Sequence, residues 1–297
     1  MIYQHRRYGM VTPAITLTRG SKINTEATAA LTHFLKKSGA KGILIAGSTG
    51  YAPMLSDHEH KDLIEKYLSC AKDDGLVSFV GIGRNSLDET LELGRFAIDS
   101  GADKLVIVTP YYIKEDQNQL YRYYSKLLSK LDAGIFIYNV PSLTGNNIEA
   151  DTVVKLKGEN DNLEGVKSTN TDFNQFQRLI YYTERDFLVF QGYDHLLLPS
   201  LEIGASGGVC GTTNFINLAV KLYAEYNKKN MGQSIKLHKA LSSIYHILEP
   251  YEFPEIYNVM FYKFIMGKHI GATTGISTKI SKKDIDAISR KIRSVLP

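Results

Sequence analysis

The sequence predicts an α/β fold, a (β/α)8 TIM barrel with a C-terminal helical extension, and three observations carry that prediction. Eight short, β-branched apolar runs alternate with amphipathic stretches of helical length. Several of those runs are almost continuously apolar, as parallel strands covered on both faces must be. Beyond about Leu218 the strand pattern stops and helical periodicity alone continues. A chain of 297 residues, 43% of them hydrophobic, can build one barrel and an appendage. The expected division is residues 1–228 for the barrel and 229–297 for the helical appendage.

The strands are expected at Gly9–Ile15, Gly42–Ala46, Val77–Ile82, Lys104–Val108, Ala133–Tyr138, Leu163–Val166, Leu188–Gln191 and Gly207–Cys210. Parallel neighbours need helical crossovers, and the sequence signals where those begin. Ser56 precedes Glu59 by three residues, Ser86 precedes Glu89, and Asp116 precedes Gln119. In each pair a side-chain oxygen can cap the first turn while the later side chain reaches back. Thr171-Asp172 reads as another helix start. After Asp116, the residues Leu120, Tyr123, Tyr124, Leu127, Leu128 and Leu131 form a 3.6-period stripe, which is core packing and not chemistry. Later helices are expected near Ala219–Lys229, Ser234–Glu249, Glu255–Met266 and Lys282–Val295; the first completes the barrel.

Composition removes several classes of function. A net charge of +4 with acids and bases interleaved leaves no basic stripe for nucleic acid. No apolar run approaches the roughly 18 residues that span a bilayer. Met1-Ile2-Tyr3-Gln4-His5-Arg6-Arg7 lacks the apolar core of a secretory signal, so a cytoplasmic protein is expected. Cys70 and Cys210 form no metal or redox motif and read as two structural thiols, one on a helix and one in a strand.

In such barrels chemistry sits at the C-terminal ends of the strands. Three segments fall there. Gly47-Ser48-Thr49-Gly50-Tyr51 follows the second strand, and its glycines let backbone N–H groups approach an anion, although structural turns share that composition. Tyr138-Asn139-Val140-Pro141-Ser142 ends the fifth strand with a phenol that could donate a proton or simply pack. Gly165-Val166-Lys167-Ser168-Thr169 ends the sixth. An amine buried at a pocket mouth loses the hydration that favours its charged form and becomes available as a nucleophile. The convergence of the three segments on one end of one barrel is more informative than any of them alone.

Together with Val108-Thr109-Pro110-Tyr111-Tyr112, in this order and spacing, these motifs resemble the pyruvate-dependent class I aldolases. That family includes dihydrodipicolinate synthase, N-acetylneuraminate lyase and 2-keto-3-deoxygluconate aldolase. The resemblance covers nearly the whole chain and weakens past about Glu249. It implies that Lys167 forms an imine with the keto carbon of pyruvate or of a 2-keto-3-deoxy acid. Tyr138 would shuttle protons, and Thr49, with Tyr112 from a neighbouring subunit, would orient that phenol. Backbone amides of Ser48 and Thr49 would hold the pyruvate carboxylate. Thr169, Gly192, Asp194, Leu143 and Val209 would complete the substrate site. The resemblance implies no metal and no organic cofactor beyond the covalent lysine imine. Its implied partners are pyruvate and an aldehyde, in a homotetramer.

Within the family, the synthase branch typically has arginine at Leu143, glutamate at Tyr51 and alanine at Thr169. Leucine cannot pair the second carboxylate of the synthase substrate. Gln191-Gly192-Tyr193-Asp194 resembles the branch acting on sugar acids, whose hydroxyls need both donors and acceptors. Asp194 is also a candidate helix cap. The sialic-acid lyase has glutamate at His195 and serine at Gly211, so the contacts to a long tail are missing here. The leading expectation is a 2-keto-3-deoxygluconate aldolase, with an N-acetylneuraminate-type lyase and then dihydrodipicolinate synthase as alternatives. A non-catalytic keto-acid-binding barrel is the reading from a different class. Arg84, near a strand end at the active face, is a candidate phosphate ligand.

Overall fold

In the computed structural model, residues 5–19, 22–271 and 279–297 are described; of the N-terminal stretch read above, Met1 to Gln4 lie outside them. Eight strands close into a parallel barrel: β1 Gly9–Pro13, β2 Gly42–Ile45, β3 Val77–Gly81, β4 Lys104–Val108, β5 Gly134–Asn139, β6 Leu163–Ser168, β7 Leu188–Gln191 and β8 Gly207–Val209. Each pairs with its sequence neighbours, and β8 returns to β1. Apart from the single turn Pro141–Thr144, the helices that follow the strands are α1 Thr25–Ser38, α2 Asp57–Asp74, α3 Leu87–Asp99, α4 Gln117–Leu128, α5 Ala150–Glu159, α6 Phe173–Tyr182, α7 Leu197–Glu202 and α8 Leu218–Asn227. Three more helices follow: α9 Met231–Leu248, α10 Glu255–Phe264 and α11 Lys282–Ser294. None of the described helices is long and apolar enough to cross a membrane.

The expected caps form where the sequence placed them. Ser56 and Asp116 each accept from the backbone three residues on, and Glu59 and Gln119 reach back. At Ser86 the serine accepts from the Glu89 N–H. Asp172 caps α6 through Gln175. Of the predicted stripe on α4, Tyr123 is half-buried, held at the edge by its hydroxyl donating to the Arg84 carbonyl. The first strand ends at Pro13 and not at Ile15, because the Ile15 N–H turns to the Asn214 side chain instead of a ladder partner. Cys210 lies just beyond β8, at the start of the turn Gly211–Asn214; both cysteines are free thiols.

Two apolar regions hold the fold. The larger lies between the strands and the helices and runs on without a break into Leu237, Leu241, Ile244, Ile256 and Ile288 of the last three helices. The smaller fills the barrel, where Phe79, Phe136 and Phe190 pack with ring centroids 5.2 to 6.3 Å apart. Tyr8 closes the layer from the N-terminal end, 5.4 Å from Phe190. Side chains therefore plug the lower barrel, and open space remains only above them. Gly165 is part of this packing: a Cβ there would stand 2.4 Å from both the Phe136 ring and the Leu188 carbonyl.

Strand β6 carries a shift of register. Ile135 pairs with Leu163, but Phe136 pairs with Gly165, so one residue of β6 is extra. Leu163 and Val166 consequently both face the outer core although they are three apart. Strict alternation from Leu163 would have sent Lys167 outward too; the bulge turns it inward, opposite Tyr138.

Candidate active site

At the C-terminal end of the barrel lies a cavity of about 250 Å³. Lys167 and Thr169 enter it from β6 and its loop, Tyr138 and Val140 from β5, Thr49 from the β2 loop, and Val209 and Gly211 from β8. Lys167 is buried, with its Nζ 3.8 Å from the centre of the Tyr138 ring. The Ser48 hydroxyl donates to the phenol oxygen at 3.5 Å. Burial alone would push the Tyr138 phenol up, but the Lys167 charge and hydrogen bonding with Ser48, Thr169 and Lys167 outweigh it, and the phenol sits below its ordinary value. The tyrosines buried away from the site behave oppositely: burial pushes Tyr67 and Tyr124 well above it.

The loops that present these groups are fixed in unusual conformations. Ala46, Tyr51 and Tyr112 all have positive φ, at 54°, 59° and 75°. These are sites where non-glycine residues store strain, and all three lie on βα loops at this face. Asn146 ties the β4 loop down by donating to the Pro110 and Ile113 carbonyls while accepting from Glu115. Asn139, Asn147 and Gln175 link the β5 and β6 loops behind the cavity.

Most of the residues expected from the sequence converge here, but several stand in other relations than expected. The hydroxyl that meets the phenol is Ser48's, where Thr49 was expected; Thr49 lines the cavity one residue on. Tyr112 is 91% exposed and turned away from its own chain's cavity. Leu143 sits at the rim, 54% exposed. Gly192 has a steric reason: a Cβ there would fall 1.8 Å from the Thr169 hydroxyl. Asp194 does not cap the helix that follows it. Its carboxylate accepts from the Gly211 and Thr212 N–H groups and from the Thr212 hydroxyl, so it fastens the β7 loop to the β8 loop. Burial raises its pKa against those hydrogen bonds.

Arg84 does not face the cavity. It donates to Asp57, to the Ala52 carbonyl and to His60 Nδ1. His60 then carries its proton on Nε2 and donates it to the Gly81 carbonyl, 3.0 Å away. Burial and the neighbouring guanidinium push this imidazole down to about 4. The candidate phosphate ligand is therefore a brace between α2 and the β3 loop.

One wall of the cavity had no signal in the sequence. Tyr245 and Leu248 from α9, Glu249, Tyr251 and Phe253 from the turn after it, and Ile256 and Tyr257 from α10 face the strand ends. Tyr257 packs so closely on the β8 loop that a Cβ at Gly211 would lie 2.9 Å from its ring. A second cavity of about 290 Å³ adjoins the first across Tyr138, Val140, Leu143 and Phe253, and reaches Ser48, Met54, Val108 and Tyr111. Among the described residues, no group of three or more His, Cys, Asp or Glu is placed to hold a metal.

Comparison with known proteins bears on this arrangement. The model of the dihydrodipicolinate synthetase family matches residues 8–266. The 2-dehydro-3-deoxy-D-gluconate/2-dehydro-3-deoxy-phosphogluconate aldolase of Picrophilus torridus is 38% identical over 86% of this chain and 93% of its own. A 4-hydroxy-tetrahydrodipicolinate synthase of Hydrogenobaculum is 33% identical over 85% of this chain and 83% of its own. Among solved structures, the 2-keto 3-deoxygluconate aldolase from Picrophilus torridus superposes with a TM-score of 0.87 at 36% identity, covering 92% of this chain and 98% of that one. Dihydrodipicolinate synthase from Thermotoga maritima gives 0.90 at 27% identity, covering 98% and 99%.

Proposed function

The chain belongs to the dihydrodipicolinate synthetase family and is a lyase, and from that premise we propose that it is a Schiff-base aldolase. Its substrate is a 2-keto-3-deoxy sugar acid of the gluconate type, cleaved reversibly to pyruvate and an aldehyde such as glyceraldehyde. The observation that carries this reading is the buried Lys167 amine 3.8 Å from the Tyr138 ring, with the Ser48 hydroxyl on that phenol. Lys167 attacks the C2 carbonyl, and water leaves from the carbinolamine with a proton from Tyr138. The iminium then withdraws electrons as Tyr138 takes the proton of the C4 hydroxyl. The C3–C4 bond breaks, the aldehyde departs, and the enamine takes a proton at C3. Hydrolysis of the imine releases pyruvate and returns the amine. A phenol below its ordinary pKa suits a group that both gives and takes a proton.

Ser48 relays and orients the phenol in this reading, while the Ser48 and Thr49 amides hold the C1 carboxylate. Thr169, Gly192, Asp194, Leu143 and Val209 form the substrate surround, and no metal or organic cofactor takes part. The adjoining apolar cavity offers a seat for Tyr112 of the partner subunit, whose side chain projects from its own chain. The assembly is then a homotetramer, cytoplasmic, with residues 1–228 as the barrel and 229–297 as the appendage.

The choice of substrate rests on three positions. Leu143 offers no donor to a second carboxylate. Tyr51 donates to the buried Glu255 at 2.7 Å, a pairing that glutamate at 51 would replace with two facing acids. Tyr257 occupies the space beside Gly211 that a hydroxyl-bearing side chain would need to read a long tail. Borohydride added with pyruvate should fix one reduced pyruvyl group on Lys167, and Lys167→Ala should lose both adduct and turnover. In the same preparation, condensation with glyceraldehyde should exceed that with aspartate semialdehyde by up to roughly 10⁴ in kcat/KM. Label on another lysine refutes the mechanism; equal use of aspartate semialdehyde restores the synthase.

A further inference from the structure

The charged groups around the site decide a question that fold and family leave open, namely whether the far end of the substrate carries a phosphate. Among the described residues lining the main cavity, three are charged: Lys167, Asp194 and Glu249. The adjoining cavity is lined by none. Among the described residues lining the two cavities, Lys167 is the single cation. Under the aldolase reading, on which this inference rests, Lys167 is bonded to C2, beside the C1 carboxylate. It is not available to the other end.

We infer that the site selects an unphosphorylated 2-keto-3-deoxy sugar acid and rejects the phosphate ester of its terminal hydroxyl. A phosphate monoester brings nearly two negative charges and three strong acceptor oxygens, and it needs cationic or N–H donors. Glu249 offers it a carboxylate instead, and the Asp194 carboxylate, already accepting from Gly211 and Thr212, adds a second negative group to the lining. Arg84 is held by Asp57, His60 and the Ala52 carbonyl, on the far side of the β2 loop. His246 stands behind Glu249 and pairs with it at 3.3 Å without lining the cavity. A terminal hydroxyl, in contrast, can donate to Glu249 and accept from a tyrosine such as Tyr245 or Tyr257 on the same wall.

The test compares kcat/KM for cleavage of 2-keto-3-deoxygluconate and of its 6-phosphate by the wild-type protein, with borohydride trapping of pyruvate run beside it. The unphosphorylated acid should be preferred by about 10²-fold or more, since like charges brought together in a site strongly disfavour binding. Glu249→Gln should narrow that preference several-fold, and Glu249→Lys should narrow it further, chiefly through KM for the phosphate ester. Comparable or better use of the phosphate ester, with trapping on Lys167 intact, overturns this inference and leaves the aldolase standing. Absence of trapping, with neither acid cleaved, overturns the aldolase reading and this inference with it.

Discussion

The pocket has two walls of different origin. One comes from the ends of the strands: Lys167, Tyr138, Thr49 and Thr169, with the Lys167 amine over the Tyr138 ring and the Ser48 hydroxyl on the phenol. The other comes from α9, α10 and the turn between them and is aromatic and aliphatic, with Glu249 at its mouth. The first wall is anchored in the hydrogen-bonded barrel, and the asparagine and glutamine contacts behind it hold its loops. The second is positioned by packing, with Tyr193 of the β7 loop against Tyr245 at 6.3 Å and Tyr257 against Gly211. Chemistry that tolerates little displacement is built on the rigid scaffold. Selection among substrates, which must vary between relatives, is built where side chains can change without disturbing the barrel.

If that division is right, damage to the first wall should appear in kcat and damage to the second in KM. The largest effect is expected from Tyr138→Phe. It removes one oxygen and leaves the ring packed, and kcat should fall by about 10²–10⁴, with the pyruvate adduct on Lys167 forming slowly. A loss below tenfold would show that another group moves the proton and that the first wall is misread.

A second variant probes the brace beneath that wall. His60 is buried and its folded pKa lies near 4, below the ordinary 6.5. The native state keeps it neutral while the unfolded chain takes up a proton. Its contribution to stability is therefore complete above about pH 6.5 and lost as the pH falls through 4. The shift corresponds to about 3 kcal/mol. Urea unfolding at pH 7 and at pH 4.5 should show the wild type losing more stability than His60→Gln over that interval. Equal losses would place the acid sensitivity elsewhere.

The smallest effect should come from the second wall. Gly211→Ala puts a methyl 2.9 Å from the Tyr257 ring, which has to move. Overpacking of this kind costs about 1–3 kcal/mol of stability. KM for the sugar acid should rise about 3–10-fold with kcat nearly constant and trapping on Lys167 unchanged. A fall in kcat matching that of Tyr138→Phe would mean that the two walls work as one.

The sequence by itself determined the barrel, because eight apolar runs separated by capped helices leave few other arrangements. It also singled out Lys167 and Tyr138, whose residue types and places at strand ends are local properties. Other features depended on the closed fold. That Lys167 points inward is decided by the extra residue in β6, since strict alternation from Leu163 would have turned it outward. The choice of Ser48 as the phenol's partner depends on the turn of the β2 loop, and one residue of difference cannot be resolved from composition. Arg84 and Asp194 looked free to meet substrate, but residues up to 32 positions away in sequence claim the first and Gly211 and Thr212 the second. The helical wall was invisible for the same reason. Its apolar periodicity says that a face is covered, and only the path of the chain after α8 says that part of what it covers is the mouth of the barrel.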